Sequence, residues 1–229
     1  MLVVAAHPDD VDFGAAGTVA AFTDAGVEVA YCIATDGDAG GEDRSMPRTV
    51  MASVRREEQR ASAAVVGVRD VTFLGYPDGR LQPSIGLRRD LTRVIRRFRP
   101  QRVIAPSPER MWDRIFASHP DHLAAGEAAT CAVYPDARNP FAHPELLDEG
   151  LEPHRVDELW LMAAPSPSVA VETTSTFERK LAALRCHRSQ VGDAEGLADR
   201  LTEIARHATG AAGLPESTLV ESFRLVHTS

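Results

Sequence analysis

The stretch "LVVAAHPDDVDFGAAGT", Leu2–Thr18, sets one histidine and three aspartates directly after an unbroken apolar run. Leu2–Ala6 carries no polar alternation, which is what a strand covered on both faces requires. His7, Asp9, Asp10 and Asp12 therefore fall at the carboxyl end of a buried strand. Carboxylates left unpaired near a core cost free energy, so this cluster calls for water, a cation or a reaction. Gly14 to Ala25 then reads as a helix of small residues stopped by Gly26.

The same strand–turn–helix unit recurs along the chain. "VEVAYCIAT" (27–35) reads as a second strand running into the glycine-rich loop "DGDAGGED" (36–43), and 50–66 reads as a helix ended by Gly67. "DVTFLG" (70–75) is a third strand, "PDGRL" (77–81) a turn, 87–98 a helix closed by Pro100, and "QRVIAPS" (101–107) a fourth strand. Helix is expected again over 120–133. Strands are expected at 156–164 and 219–226, with helices near 176–187 and 195–208 between them. The segment 135–155, with four prolines and no period, reads as a long loop or lid. Repeated alternation of this kind predicts an α/β, Rossmann-like fold. Its sheet is expected to be mostly parallel, with helices on both faces, in a single domain over residues 1–229.

Composition narrows the function. A formal net charge of −8 on 229 residues excludes a general nucleic-acid binder, which needs a basic surface. Lys180 is the sole lysine, so lysine chemistry has one address. Cys32, Cys131 and Cys186 are odd in number and form no CxxC pair, which removes a thiolate cage or a disulfide framework and leaves them as small buried residues. No apolar run approaches the ~20 residues of a membrane span and no signal core is visible, so a cytoplasmic location is expected. A homo-oligomer is compatible with the sequence.

The polar clusters fall after successive strands: His7–Asp10, Thr35–Asp43, Pro77–Arg80 and Ser107–His122. In open α/β sheets that edge is where ligands bind. The last cluster holds "SHPDH", in which Ser118 suits a helix cap, Pro120 a first turn, and His119 and His122 share a face. His122 with His7 and Asp10 makes two imidazoles and a carboxylate, a set that holds one divalent ion and leaves positions open. Zinc is the first choice for such nitrogen-rich ligands, with ferrous iron also acceptable. Asp9, leaving the backbone in another direction, is placed to take a proton from water beside the ion. His119 could hold an oxyanion or protonate a leaving amine, oriented by Asp121.

The ordered series "AHPDD", "FGAAGT", "TDGDAGG", "VRREEQRASAAVVGV", "LGYPDGRL", "HPDH", "ARNP" and "LRCHRSQ" spans residues 3 to about 190. In it the chain resembles the PIG-L or LmbE-like family of zinc-dependent N-deacetylases, which act on N-acetylglucosamine conjugates. The resemblance implies one Zn2+ per chain on His7, Asp10 and His122. It makes Asp9 the general base, and His119 the acid or oxyanion stabiliser, steadied by Asp121. It further implies a small amino-sugar substrate, contacted by Arg55 and, as weaker candidates, Asp78 and Arg138. Asp12 stands where the family usually has glutamate. The tyrosine that some members carry before "HPDH" is replaced here by Phe116, Ala117 and Ser118.

Plainer roles compete for several of these residues. Arg55–Arg60 could be a solvated helix face, "DGDAGG" a simple turn, and His187 a partner of a helix end. Trp112 and Trp160 are expected in packing, and His143, His154, His207 and His227 on the surface. Among rival functions, a ferrous-iron oxygenase would share the two-histidine, one-carboxylate set but is usually built on an antiparallel β-roll. An aspartate-nucleophile phosphatase would leave "HPDH" unexplained. A non-catalytic sugar-binding homologue would be expected to lose Asp9 or a ligand. Dinucleotide binding fails because acids stand where a pyrophosphate needs glycines.

Overall fold

Alternate residues of a strand face opposite ways, and the chain covers the first strand on both. The computed structural model describes residues 1–41, 43–191 and 195–228; Glu42 of the glycine-rich loop lies outside them. The chain runs β1 (Leu2–Ala5), α1 (Asp10–Gly14), α2 (Ala16–Asp24), β2 (Ala30–Thr35), α3 (Arg48–Val65), β3 (Asp70–Tyr76) and α4 (Ile85–Phe98). It continues through β4 (Arg102–Pro106), a 3-10 segment (Trp112–Ser118), α5 (Pro120–Cys131) and α6 (Glu145–Asp148). The remainder comprises β5 (Glu158–Met162), β6 (Val169–Glu172), α7 (Phe177–Leu184), α8 (Arg188–Val191), α9 (Leu197–Ala211) and β7 (Val220–His227).

The seven strands form one sheet in the order β3-β2-β1-β4-β5-β7-β6. The first five are mutually parallel, and β7 runs antiparallel to both β5 and β6. Leu2, Val4 and Ala6 pack with Leu87, Leu91 and Ile95 of α4 and Ala125, Ala128 and Ala129 of α5. Val3 and Ala5 face the other way, among Val19 of α2, Ala63 of α3, Trp160 and Phe223. The doubly wound α/β expectation holds. β6 was not expected, because four residues in a polar surround give no periodic signal.

Two details set the functional edge. The chain leaves β1 outward through β2 and β3, then returns to β4 on β1's other side, so the sheet's switch point lies between β1 and β4. Gly126 lets α5 approach the end of β4, since a Cβ there would lie 2.4 Å from the Pro106 carbonyl oxygen. That approach brings the start of α5 over the end of β1. On the far side, Lys180 Nζ donates to Glu221 Oε1 (2.5 Å) and the Phe13 carbonyl (2.7 Å). Glu221 also accepts from the Gly17 and Thr18 amides at the start of α2. The sole lysine is thus a buried tie between α7, β7 and the α1–α2 corner.

The segment 135–155 is not a lid over the strand ends. It sits at the opposite edge, where β5 begins, and the buried Arg96 of α4 donates to the carbonyls of Asp136, Ala137, Asn139 and Ala142 at 2.9–3.2 Å. Pro-rich sequence reads as loop, but a buried guanidinium holds its main chain in place. His143, expected at the surface, turns inward to Asp136 (3.3 Å) with its side chain 9% exposed. Trp160 packs in the core as expected, whereas Trp112 is 78% exposed. Cys32 is buried, and Cys131 and Cys186 only half so.

Candidate active site

Strand β1 stops where its main chain turns to serve Asp10: Oδ2 accepts from the Ala6 amide (3.1 Å) and the His7 amide (2.8 Å). Asp9 then adopts φ 91°, ψ −26°, a left-handed conformation that non-glycine residues rarely hold without support. Its carbonyl accepts from the Asp12 and Phe13 amides, which starts α1 here rather than at Gly14. The support comes from α3, whose Arg55, Gln59 and Ser62 lie on one face. Gln59 Oε1 accepts the Asp9 amide (2.9 Å), and its Nε2 donates to Asp12 Oδ2 (3.1 Å). Ser62 Oγ donates to Asp12 Oδ1 (2.6 Å), and His187 Nε2 to Asp12 Oδ2 (2.8 Å). All four side chains are fully buried.

Arg55 completes this frame. Its Nη1 donates to the Gly37 carbonyl (2.9 Å), and Nη2 to the Pro8 carbonyl (2.6 Å) and to Asp9 Oδ2 (3.1 Å). Gly37, at φ +62°, makes room: a Cβ there would lie 2.4 Å from Nη1. Arg55 thus lines the cleft with both Nη atoms bonded to the protein, while its buried Nε has no partner among the described residues. It is not a solvated helix face.

From the β4 side, α5 delivers His122, with His119 as its N-cap. His122 Nδ1 donates to the Ala117 carbonyl (3.2 Å), which leaves the Nε2 lone pair facing Asp10 Oδ1 at 3.0 Å. His7 Nε2 faces Asp121 Oδ2 (3.2 Å) and Asp78 Oδ1 (3.1 Å), which leaves its Nδ1 lone pair toward Asp10 Oδ2 at 3.5 Å. Two imidazole acceptors thus point at one carboxylate, an arrangement that needs positive charge between them. Without a cation, protons on the imidazoles meet that need. Burial opposes a charged His7, but the Asp10 charge and hydrogen bonds to Asp10, Asp121 and Asp78 push its pKa up to about 12. His122 is raised against burial by the same Asp10 charge. Asp10, despite its burial, is held well below the usual carboxylate range by His122 and His7. The donor atoms of His7, Asp10 and His122 lie within 4.8 Å of one another, so the residues fit a divalent cation.

His7, His119 and Asp121 meet the same spacing. Asp121, however, is already committed: Oδ2 accepts from the Gly79 amide (2.8 Å) and Oδ1 from the Leu81 amide (3.1 Å). Its carboxylate therefore orients His7 and the 77–81 turn. It does not orient His119, to which it offers only its main chain. The Asp121 amide donates to His119 Nδ1 (3.2 Å), which places the His119 proton on Nε2. Asp78 is a second brace, accepting from the Ala39 amide (3.1 Å) as well as facing His7.

Asp9 is pushed up to about 7 by burial first and by the Asp10 charge second, against the pull of Arg55. His119, exposed on the cleft, is lowered by burial and by His7. A cleft of about 440 Å³ joins His7, Asp9, Asp10, Arg55, Asp78, His119 and His122 with Phe13, Ala39, Gly40, Gly79 and Phe116. Arg138 is not among them. It lies at the other edge of the sheet, bonded to the Val156 carbonyl (3.4 Å) and Thr228 Oγ1 (3.0 Å) and stacked over Tyr134. Gln59 and Ser62 escaped the sequence reading, although their spacing from Arg55 was the available signal. His187 is an inward prop of Asp12 rather than a helix-end partner.

Comparison with known proteins places this geometry. The model of the PIG-L family, described as GlcNAc-PI de-N-acetylase, matches residues 2–133. The chain is 33% identical to diacetylchitobiose deacetylase of Thermococcus kodakarensis, over 83% of this chain and 69% of that one. It is 31% identical to a probable N-acetyl-α-D-glucosaminyl L-malate deacetylase 2 of Bacillus cereus, over 83% of each. The solved N,N'-diacetylchitobiose deacetylase of Pyrococcus horikoshii superposes with a TM-score of 0.90 at 34% identity, covering 99% of this chain and 83% of that one. The chain belongs to the PIG-L family.

Proposed function

We propose that this PIG-L family member is a zinc-dependent N-deacetylase that hydrolyses the acetamido group of an N-acetylglucosamine-containing small molecule. The observation that carries the reading is the pair of imidazole lone pairs turned on Asp10, with Asp9 and the free edge of His119 opening on the same cleft. His7, Asp10 and His122 would hold the cation. Once bound it would supply Lewis acidity toward a carbonyl oxygen and acidify a coordinated water. A mostly parallel α/β framework that brings His7, Asp9, Asp10, His119 and His122 to one cleft favours neither the iron-oxygenase nor the non-catalytic alternative.

The chain's own groups divide the remaining work. Arg55 holds Asp9 through Oδ2, and Asp9 takes the proton of the water that attacks the amide carbon. His119 presents Nε2–H, since its Nδ1 accepts a main-chain amide, and stabilises the oxygen on which negative charge develops. When the C–N bond breaks, the proton held by Asp9 goes to the departing nitrogen, giving acetate and a free amine. Phe116, Ala117 and Ser118, which stand before "HPDH" where some relatives carry a tyrosine, offer no phenol, so His119 carries the oxyanion role on that wall.

The test is release of free amine from a panel of N-acetylglucosaminides by the purified protein. Assays run as prepared, after chelation, and after adding back Zn2+ or Fe2+. Turnover lost on chelation and restored by zinc is expected. Failure to release amine from any compound with any divalent metal overturns the reading.

A further inference from the structure

Asp9 is held twice, and the two holds differ in kind. Arg55 grips its carboxylate, whereas Gln59 grips its main chain: Gln59 Oε1 accepts the Asp9 amide at 2.9 Å, where Asp9 stands at φ 91°. A left-handed aspartate keeps that strained shape only where its surroundings impose it. A glutamine amide has two ends of similar size and opposite hydrogen-bonding sense. Turned over, it would set its own N–H against the N–H of Asp9. What keeps the carbonyl end forward lies behind it.

Gln59 Nε2 donates to Asp12 Oδ2 (3.1 Å), and a carboxylate only accepts. The same carboxylate accepts from His187 Nε2 (2.8 Å) and Ser62 Oγ (2.6 Å). Asp12, Gln59, Ser62 and His187 are all 0% exposed, so bulk water does not compete for these bonds. To serve Asp12, His187 must carry its proton on Nε2. Its buried Nδ1 has no partner among the described residues, which suits a bare lone pair there. His187 lies 175 residues from Asp12 and is itself anchored on both sides. Lys180 ties α7 to the α1–α2 corner, and Ser189 donates to Glu58, next to Gln59 on α3, through its amide (2.7 Å) and hydroxyl (2.6 Å).

We propose, resting on the deacetylase reading, that His187, Asp12 and Gln59 are positioning residues for Asp9. The Asp12 carboxylate, held by His187 and Ser62, sets the direction of the Gln59 amide. The Gln59 carbonyl oxygen then sets the Asp9 peptide, and with it the aim of the Asp9 side chain. The direction of each hydrogen bond matters here, not the space the side chains fill. Gln59→Glu alone brings two carboxylates together with no donor between them. Adding Asp12→Asn supplies that donor, while the new carboxylate still accepts the Asp9 amide, and His187 meets the change by moving its proton to Nδ1.

The experiment measures kcat, KM and metal content on N-acetylglucosamine and N,N'-diacetylchitobiose, with Asp9 amide hydrogen exchange followed by NMR on the metal-loaded protein. Gln59→Glu is expected to lower kcat about 30- to 100-fold at nearly constant KM and metal content, and Asp12→Asn to lower it about three- to tenfold. The double variant should be less impaired than Gln59→Glu alone. Losses that multiply in the double variant overturn the proposal, as does a loss carried by KM or by departure of the metal. If Gln59→Glu fails to fold, a folded and active double variant supports the same assignment, and an unfolded one overturns it. His187→Leu should lower kcat about tenfold, and His187→Gln, which can keep a donor at that place, should recover most of the loss; equal losses in the two overturn the role of His187. The Asp9 amide should exchange slowly in the native chain and fast in Gln59→Met, and unaltered exchange in Gln59→Met also overturns the proposal. Failure of the native chain to release amine from any N-acetylglucosaminide overturns the deacetylase reading, whereas the exchange measurement judges the hold on Asp9 without turnover.

Discussion

Two buried arginines, one at each edge of the sheet, do similar work with different consequences. Arg96, 2% exposed, gathers the 136–142 main chain at the edge where β5 begins, and every partner it meets is a carbonyl. Burial lowers its pKa, as expected for a cation held by dipoles with no bonded carboxylate. Arg55, 4% exposed, gathers the Pro8 and Gly37 carbonyls at the carboxyl ends of β1 and β2, but its third partner is the Asp9 carboxylate. A planar fork can lock a loop with neutral partners alone. Where one partner is instead a carboxylate that opens on the cleft, the same lock becomes part of the proposed chemistry. Damage at the first edge should therefore appear as lost stability, and damage at the second as lost turnover.

The hardest attack on that contrast is at the cation itself. His122→Ala removes one of three donors and is expected to abolish turnover, with bound metal lost on dialysis against a chelator and measured by elemental analysis. Full metal occupancy in this variant would mean the donor set is misassigned. Asp9→Asn should come next: metal content stays, while kcat falls by about 10²–10⁴-fold, the usual loss for a general base. If Asp9→Asn loses the metal and Asp10→Asn keeps it with activity, the roles of the neighbours are reversed.

The arginines themselves give smaller and opposite effects. Arg55→Met should lower kcat by about 10- to 100-fold with a lesser change in KM, because Asp9 and the Pro8 turn lose their hold and small misplacements are costly. A rise in KM alone would return Arg55 to simple substrate binding, the role its resemblance to the family implied. Arg96→Met should leave kcat/KM within about twofold yet cost about 2–5 kcal/mol in denaturant unfolding, since several buried carbonyls lose their donor. Least of all, Arg138→Ala should change stability by about 1 kcal/mol or less and leave kinetics unaltered. Any selective loss of sugar binding there would contradict its place at the far edge.

Much of this was legible in order along the chain. Continuous apolar runs marked β1, β2, β4 and β5, and polar clusters followed each of the first four strands, because a parallel sheet presents all its carboxyl ends on one edge. "HPDD" and "HPDH" singled out His7, Asp10 and His122 as candidates before any geometry, and the fold brings their donor atoms within 4.8 Å of one another. The start of α1 was not legible: an acidic run reads as loop until Gln59 and Arg55 hold Asp9 in a left-handed turn. Nor was the order of 135–155, where prolines deny a period and Arg96 supplies the fixed partner from 40 or more residues away in the chain.

What sequence alone determined is the kind of fold and the kind of site, because periodicity and ligand type are local properties of neighbouring residues. Which carboxylate braces which histidine was decided only by tertiary structure. Asp121 sits two residues from His119 and 114 from His7, yet its carboxylate serves His7. The start of α5 aims that side chain across the switch point between β1 and β4, toward the 77–81 turn, whose amides complete its bonding. Arg138 shows the converse. Its motif belongs to the family's series, but α5 has by then carried the chain to the opposite edge of the sheet, where the Val156 carbonyl and Thr228 are the partners within reach. A side chain's role follows from the edge of the sheet at which the backbone delivers it, and that depends on the packing of the whole chain.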